Sequence, residues 1–153
     1  MKKILPIVLF ISVGYSQKEY NINHIVEVNG VYKKKFSFEI VNGNVYRMYD
    51  DIKGPLGKMK NGMKEGEWMI WKDNGTIDKV ENYKNGEPDG LWTEWHKSGQ
   101  KWSEITIKDG KAISETKWSY DYNGQKEIER TYKDGELISK KCWDEDGNEK
   151  DCN

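Results

Sequence analysis

Hydrophobic positions in this chain come in short runs of Trp, Tyr, Ile, Val and Thr, broken at regular intervals by Asn-Gly and Asp-Gly pairs. Residues of the first group suit a pleated surface, and no window carries a helical stripe that Gly or Asn does not interrupt. Six Asn-Gly and four Asp-Gly pairs hold ten of the fifteen glycines. Tight hairpins need positive φ, which glycine adopts freely and Asn or Asp tolerates. The pattern predicts an all-β fold, an antiparallel meander of hairpins.

The turns keep time. Gly62, Gly75, Gly86, Gly99, Gly110, Gly124, Gly135 and Gly147 are separated by 13, 11, 13, 11, 14, 11 and 12 residues. The alternation is a unit of about 24 residues with two reversals, written four times: 59–82, 83–106, 107–131 and 132–153. Its opening column is Met59, Tyr83, Ile107 and Tyr132. Trp68 and Trp92 follow six residues after the first turn glycine. Trp71 and Trp95 follow three later, and one-residue length changes bring Tyr120 and Trp143 into that column. A second glycine, Gly66 or Gly90, becomes Ser114 and Ser139 in the last two units, which read as degraded copies. A fainter unit precedes these over 17–58, with Gly30 and Gly43 again 13 apart and Phe36 in the Trp68 position. Residues 50–57 read as an insertion, either a protruding contact loop or a plain surface excursion.

Tyr83-Lys84-Asn85-Gly86-Glu87-Pro88-Asp89-Gly90-Leu91-Trp92-Thr93-Glu94-Trp95, followed by Ser98-Gly99-Gln100, resembles the variant MORN repeat of bacteria. The resemblance is close over 59–106, looser over 107–153 and faint over 17–58. It implies a single-layer sheet of about four or five repeats that serves as a scaffold. Many proteins with this variant are labelled antitoxin components of a YwqK-like family, which implies a partner toxin. It implies no catalytic residues.

Composition narrows the partner. Residues 1–16 read as a secretory signal: Lys2-Lys3, an apolar run from Ile4 to Val13, and small residues at Gly14 and Ser16, with cleavage between Ser16 and Gln17. A buried N-terminal strand is the alternative. The run is too short to cross a bilayer as a helix. Without Lys2 and Lys3 the mature chain has 23 basic against 26 acidic side chains. That balance speaks against a nucleic-acid partner, which calls for a basic face. Export fits a Cys142–Cys152 disulfide, provided the intervening turn has an odd loop or a bulge, because a two-residue turn puts the cysteines on opposite faces. Two free thiols are the alternative for a cytosolic chain.

The chain offers little chemistry. Glu94 and His96 share a strand face and permit acid–base work, but the other units do not repeat them. No Cys/His cluster has metal spacing, and 144–149 lacks the spacing of a calcium loop and reads as the last Asp-Gly turn. No catalytic, metal or cofactor residues are expected. Trp68, Trp71, Trp92, Trp95, Tyr120 and Trp143 are the candidate binding face. Residues three apart on a strand point to opposite faces, so either a bulge turns both rings of a unit inward or each face carries a row. An exposed row would suit a protein partner or an envelope glycan; otherwise both rows are structural. The expected function is a non-enzymatic exported scaffold that binds a protein, with an antitoxin-like role or glycan binding as alternatives.

Overall fold

A computed structural model of the protein describes residues 18–118 and 124–152. The expected signal, its Ser16–Gln17 junction and Tyr120 lie outside the described residues.

The described residues open with β1 (Glu19–Asn21), a single 3-10 turn (Ile22–His24) and the hairpin of β2 (Ile25–Val28) and β3 (Val31–Lys34). Four strands then build the repeat frame: β4 (Gly43–Tyr49), β5 (Ile52–Lys60), β6 (Met63–Trp71) and β7 (Ile77–Lys84). The short β8 (Glu87–Pro88) leads into β9 (Gly90–Trp95) and β10 (Lys101–Lys108). The last are β11 (Lys111–Trp118), β12 (Lys126–Lys133), β13 (Glu136–Trp143) and β14 (Glu149–Lys150). One sheet runs β1-β4-β5-β6-β7-β9-β10-β11-β12-β13-β14, with β8 on β7, and β2-β3 forms a second, two-stranded sheet. From β4 onward neighbouring strands are antiparallel, as the turn ladder predicts. β1 is the exception and lies parallel to β4, with Glu19 opposite Asn44.

Two turn types alternate, which explains the 11 and 13. Asn61-Gly62 (φ 53° and 74°), Asn85-Gly86, Asp109-Gly110 and Asp134-Gly135 all have positive φ at both positions. These are two-residue hairpins whose twist matches the strands they join. Lys60 stands opposite Met63 in the first of them, and Lys133 opposite Glu136 in the last. Three further turns close three residues each: Lys72 N–H donates to Thr76 O and Gly75 N–H to Lys72 O, with equivalent bonds at His96–Gln100 and Asp144–Asn148.

The core sits at the N-terminal end. Tyr20, Ile25, Val41, Val45, Leu56, Met59 and Trp68 form one buried cluster, with Ile22, Tyr32, Trp71 and Tyr83 packed against it. The 3-10 turn and the β2–β3 hairpin supply the layer over β4, β5 and β6. Beyond Trp71 the buried residues among those described are Glu81, Thr93, Ser103 and Cys142. The later repeats form an open ribbon wetted on both faces.

Two expectations for the N-terminal part fail. Residues 50–57 are not a loop. Asp50 takes φ 50° in a tight turn with Asp51, and β5 starts at Ile52 opposite Tyr49. Pro55 is tolerated in a strand because the β4–β5 register shifts beside it. Val45 faces Gly57 and Tyr46 faces Pro55, so Leu56 is the extra residue and joins the core. The fainter repeat over 17–58 also misaligns. Gly43 is not a turn residue but opens β4, packed so close that a Cβ there would lie 2.1 Å from Lys18 O. Phe36, aligned with Trp68, stands in water on a loop instead of in the core.

Candidate binding surface

The tryptophans occupy two structural columns. In the first, Trp68 Nε1 donates to Lys58 O at 3.1 Å and Trp92 Nε1 donates to Asn82 O at 3.0 Å, each ten residues back. The glycine two residues ahead makes room for this. Gly66 (φ 70°) and Gly90 (φ 108°) take conformations that side chains rarely adopt, and there the hairpin parts. β5 and β6 are nine residues each, yet they pair only at Lys58–Lys60 with Met63–Glu65. Where Ser114 and Ser139 replace the glycine, no positive φ occurs and β10–β11 and β12–β13 pair along their length. The glycine splits the hairpin beyond this point, and the indole adds a donor to a carbonyl at the last pair before the split.

The second column stands at strand ends beside the turns. Trp71 stands opposite Ile77, Trp95 opposite Lys101, Trp118 opposite Lys126 and Trp143 opposite Glu149. Trp118 was not among the expected rings; Tyr120 was, and it lies outside the described residues. Lys101 Nζ lies 5.2 Å above the Trp118 ring and Lys126 Nζ 4.9 Å above Trp143, so each ring is roofed by a lysine of the preceding strand. Lys72 ties neighbouring turns together, donating to the carbonyls of Trp95 and His96.

Neither column is a bare aromatic row. Trp68 is buried, and Trp71, Trp92, Trp95 and Trp143 are half-buried. A register shift falls between Ile70 and Trp71, and both rings of that repeat pack on the same core. The inward-turning alternative holds there, and Trp68 has no surface to offer a partner. Lys64 Nζ lies over both Trp68 (4.9 Å) and Tyr83 (4.4 Å), and its pKa is lowered, burial being the largest cause. Tyr83 donates to Glu81 at 2.7 Å; burial, then that hydrogen bond, hold its phenol well above the usual range.

Along the ribbon a charged ladder crosses the strands. Lys79 pairs with Glu94, Ser103 Oγ donates to Glu94 at 3.3 Å, and Glu115 meets Lys117 at 3.3 Å and Arg130 at 2.6 Å. Glu94 joins that ladder, and the His96 ring packs on Trp102 at 5.1 Å. At the acidic end, Asp144 Oδ1 accepts from the backbone of Asp146 (3.0 Å) and Asn148 (2.8 Å), so its carboxylate shapes the turn. The Cys142 and Cys152 sulfurs around it stand at disulfide distance, 2.08 Å. The intervening loop is odd, as that pairing requires, and Cys142 faces Lys150 while Cys152 follows two residues on.

The concave surface lies where β5 and β6 part. Trp71 Nε1 crosses the gap to Pro55 O at 2.7 Å. On one side is a groove of about 550 Å³ floored by Val45, Leu56, Gly57 and Met69. At the turn end is one of about 410 Å³ walled by Tyr49, Ile52, Pro55 and Trp71, with Asp50, Asp73 and Asn74 at its rim. Ile52 is 73% exposed there. Sequence reading missed this site because it took 50–57 for a loop. The alternation Tyr49, Ile52, Gly54, Leu56 around an Asp-Asp turn was the available signal. It also passed over Trp102, the tryptophan left 46% exposed.

Residues 64–85 and 88–109 match the family model of the MORN repeat variant. The two matches begin 24 residues apart and cover β6–β7 and β8–β10. No curated protein and no solved structure matches the chain. Among the described residues, no helix is long and apolar enough to cross a membrane.

Proposed function

The chain is a variant MORN-repeat protein, and from that premise we propose that it is a non-enzymatic, exported scaffold that holds a partner protein in the groove between β5 and β6. The observation that carries this reading is the parting of two long strands, which leaves Tyr49, Ile52, Pro55 and Trp71 around one concavity. An apolar pocket with a polar rim is the form of a protein hot spot. The repeats hold the walls apart through the Trp68 and Trp71 indoles, so the groove is preformed and ordering it costs little on binding. Export is supported by the leader pattern of residues 1–16 and by the paired cysteines.

The test is capture from extracts and envelope fractions of the host, with wild-type protein and Ile52→Glu as baits. Ile52 is exposed, so the charge spares the fold. One protein held in a fixed ratio by the wild type and released by Ile52→Glu supports the reading. No such protein counts against it. A toxin as that protein would establish the antitoxin-like role. A second reading is favoured by the Asp50, Asp73 and Asn74 rim beside Tyr49 and Trp71, since rings with acceptors also suit a sugar. Retention on cell-wall material, lost in Tyr49→Ala, would decide for a glycan.

A further inference from the structure

The tip between β3 and β4 lies outside the matched repeats and serves no purpose in the core. Ile40 bridges back to Lys33, Lys34 N–H donates to Glu39 O at 2.8 Å, and Phe38 N–H donates to Lys34 O at 3.0 Å. The tip is thus a closed, hydrogen-bonded hairpin end. On it Phe36 is 98% exposed, Phe38 61% and Ile40 49%. Both phenylalanines are held in the left-handed region, at φ 68° and 55°, where bulky residues are outliers. Nothing in the local backbone calls for phenylalanine at either position; Asn or Gly would fit better.

The same tip is basic. Lys33, Lys34 and Lys35 run into Phe36, and Lys18 joins them by its ion pair to Glu39 at 3.0 Å. Glu39 is the one acid of the tip and is shared with Lys34 at 3.1 Å. Lys35 Nζ instead donates to a carbonyl, Asn23 O at 2.6 Å. Four lysines against one carboxylate leave the tip cationic on a chain whose formal net charge is −1.

We propose that this tip is a membrane-contact element, with Phe36 and Phe38 seated at the headgroup–acyl boundary of a bilayer that carries anionic lipid. Aromatic and apolar side chains gain by entering that boundary, and lysines beside them are attracted to its surface charge. A protein pocket suits the tip less well, because lysine is depleted in protein interfaces. The role is separate from the groove, which would stay open to a partner while the tip holds the membrane.

The test is sedimentation of the full chain with vesicles of phosphatidylcholine, alone or mixed equally with phosphatidylglycerol. Phe36→Asn/Phe38→Asn is compared with wild type carrying the same N-terminus, so any contribution of residues 1–17 cancels. Asn suits the left-handed backbone, so the double variant keeps the fold, which its urea midpoint verifies; Phe36→Asn alone is the reserve. Wild type should bind the mixed vesicles and the double variant at least about tenfold less. Lys35→Gln should bind them roughly fivefold less. No wild-type binding, or binding unchanged in the double variant, overturns the proposal. So does self-association of wild type in velocity sedimentation that the double variant loses without any vesicle binding, which would assign the tip to a second copy.

Discussion

The indole of Trp68 lies so close upon Gly57 that a Cβ at that glycine would stand 2.6 Å from the ring. The strand residue and the ring belong to the two walls of the parted hairpin, so this contact fixes their separation. Gly57→Ala should destabilise the protein by about 1–3 kcal/mol through overpacking. Gly66→Ala makes a useful contrast, for no atom lies within 4 Å of its added Cβ. Its cost, about 1–2 kcal/mol, is the left-handed backbone alone. Urea unfolding should register both losses, and near-UV circular dichroism of the tryptophans should change only for Gly57→Ala.

The two repeat tryptophans should differ in weight despite equivalent bonds. Trp68→Phe removes a buried donor from Lys58 O and should cost about 0.5–1.5 kcal/mol for the bond, before lost packing. Trp68 is buried and Trp92 only half-buried. Trp92→Phe should therefore cost distinctly less, a ranking that denaturant midpoints will check. Equal losses would mean that burial does not set the cost.

Reduction of the Cys142–Cys152 pair, ten residues apart, should cost about 2–3 kcal/mol in the chain-entropy account. The effect should be local. β14 is two residues long and pairs only through Cys142–Lys150 and Trp143–Glu149. Hydrogen exchange after reduction should rise at 148–152 and leave β6–β10 protected. Loss of protection across β6–β10 would contradict this division of the ribbon.

Glu115 gives the ribbon an acid-sensitive link. Burial acts to raise its pKa, but the Arg130 hydrogen bond and the Lys117 charge outweigh it and leave the carboxyl below its ordinary value. A carboxyl depressed on folding contributes stability that is present above its unfolded pKa and lost as pH falls through the folded one. Arg130→Gln should remove the larger hydrogen-bond contribution and move the acid unfolding midpoint to higher pH. Tryptophan fluorescence against pH would show it, and an unmoved midpoint would assign the acid transition to other carboxylates.

The repeat frame was legible because it rests on local rules. Asn-Gly and Asp-Gly demand hairpins, and the alternation of spacings encodes two turn lengths before any contact is known. The substitution of Gly66 and Gly90 by Ser114 and Ser139 even marks which hairpins stay closed. What stayed hidden depends on pairing at a distance. The parallel seat of β1 beside β4 leaves no periodic trace, and Pro55 in 50–57 suggests a loop until the Val45–Gly57 bulge is seen to accommodate it. The groove follows from the β5–β6 parting and was out of reach for the same reason.

The parallel seating of β1 also sets an order of events in time. Every hairpin from β4 onward can close on residues just made, which keeps most of this topology local and quick to form. β1 cannot: Glu19 must wait for Asn44, and Lys18 for Glu39. β1 is thus made before the strand it docks on, and its seating is deferred until β4 has been synthesised.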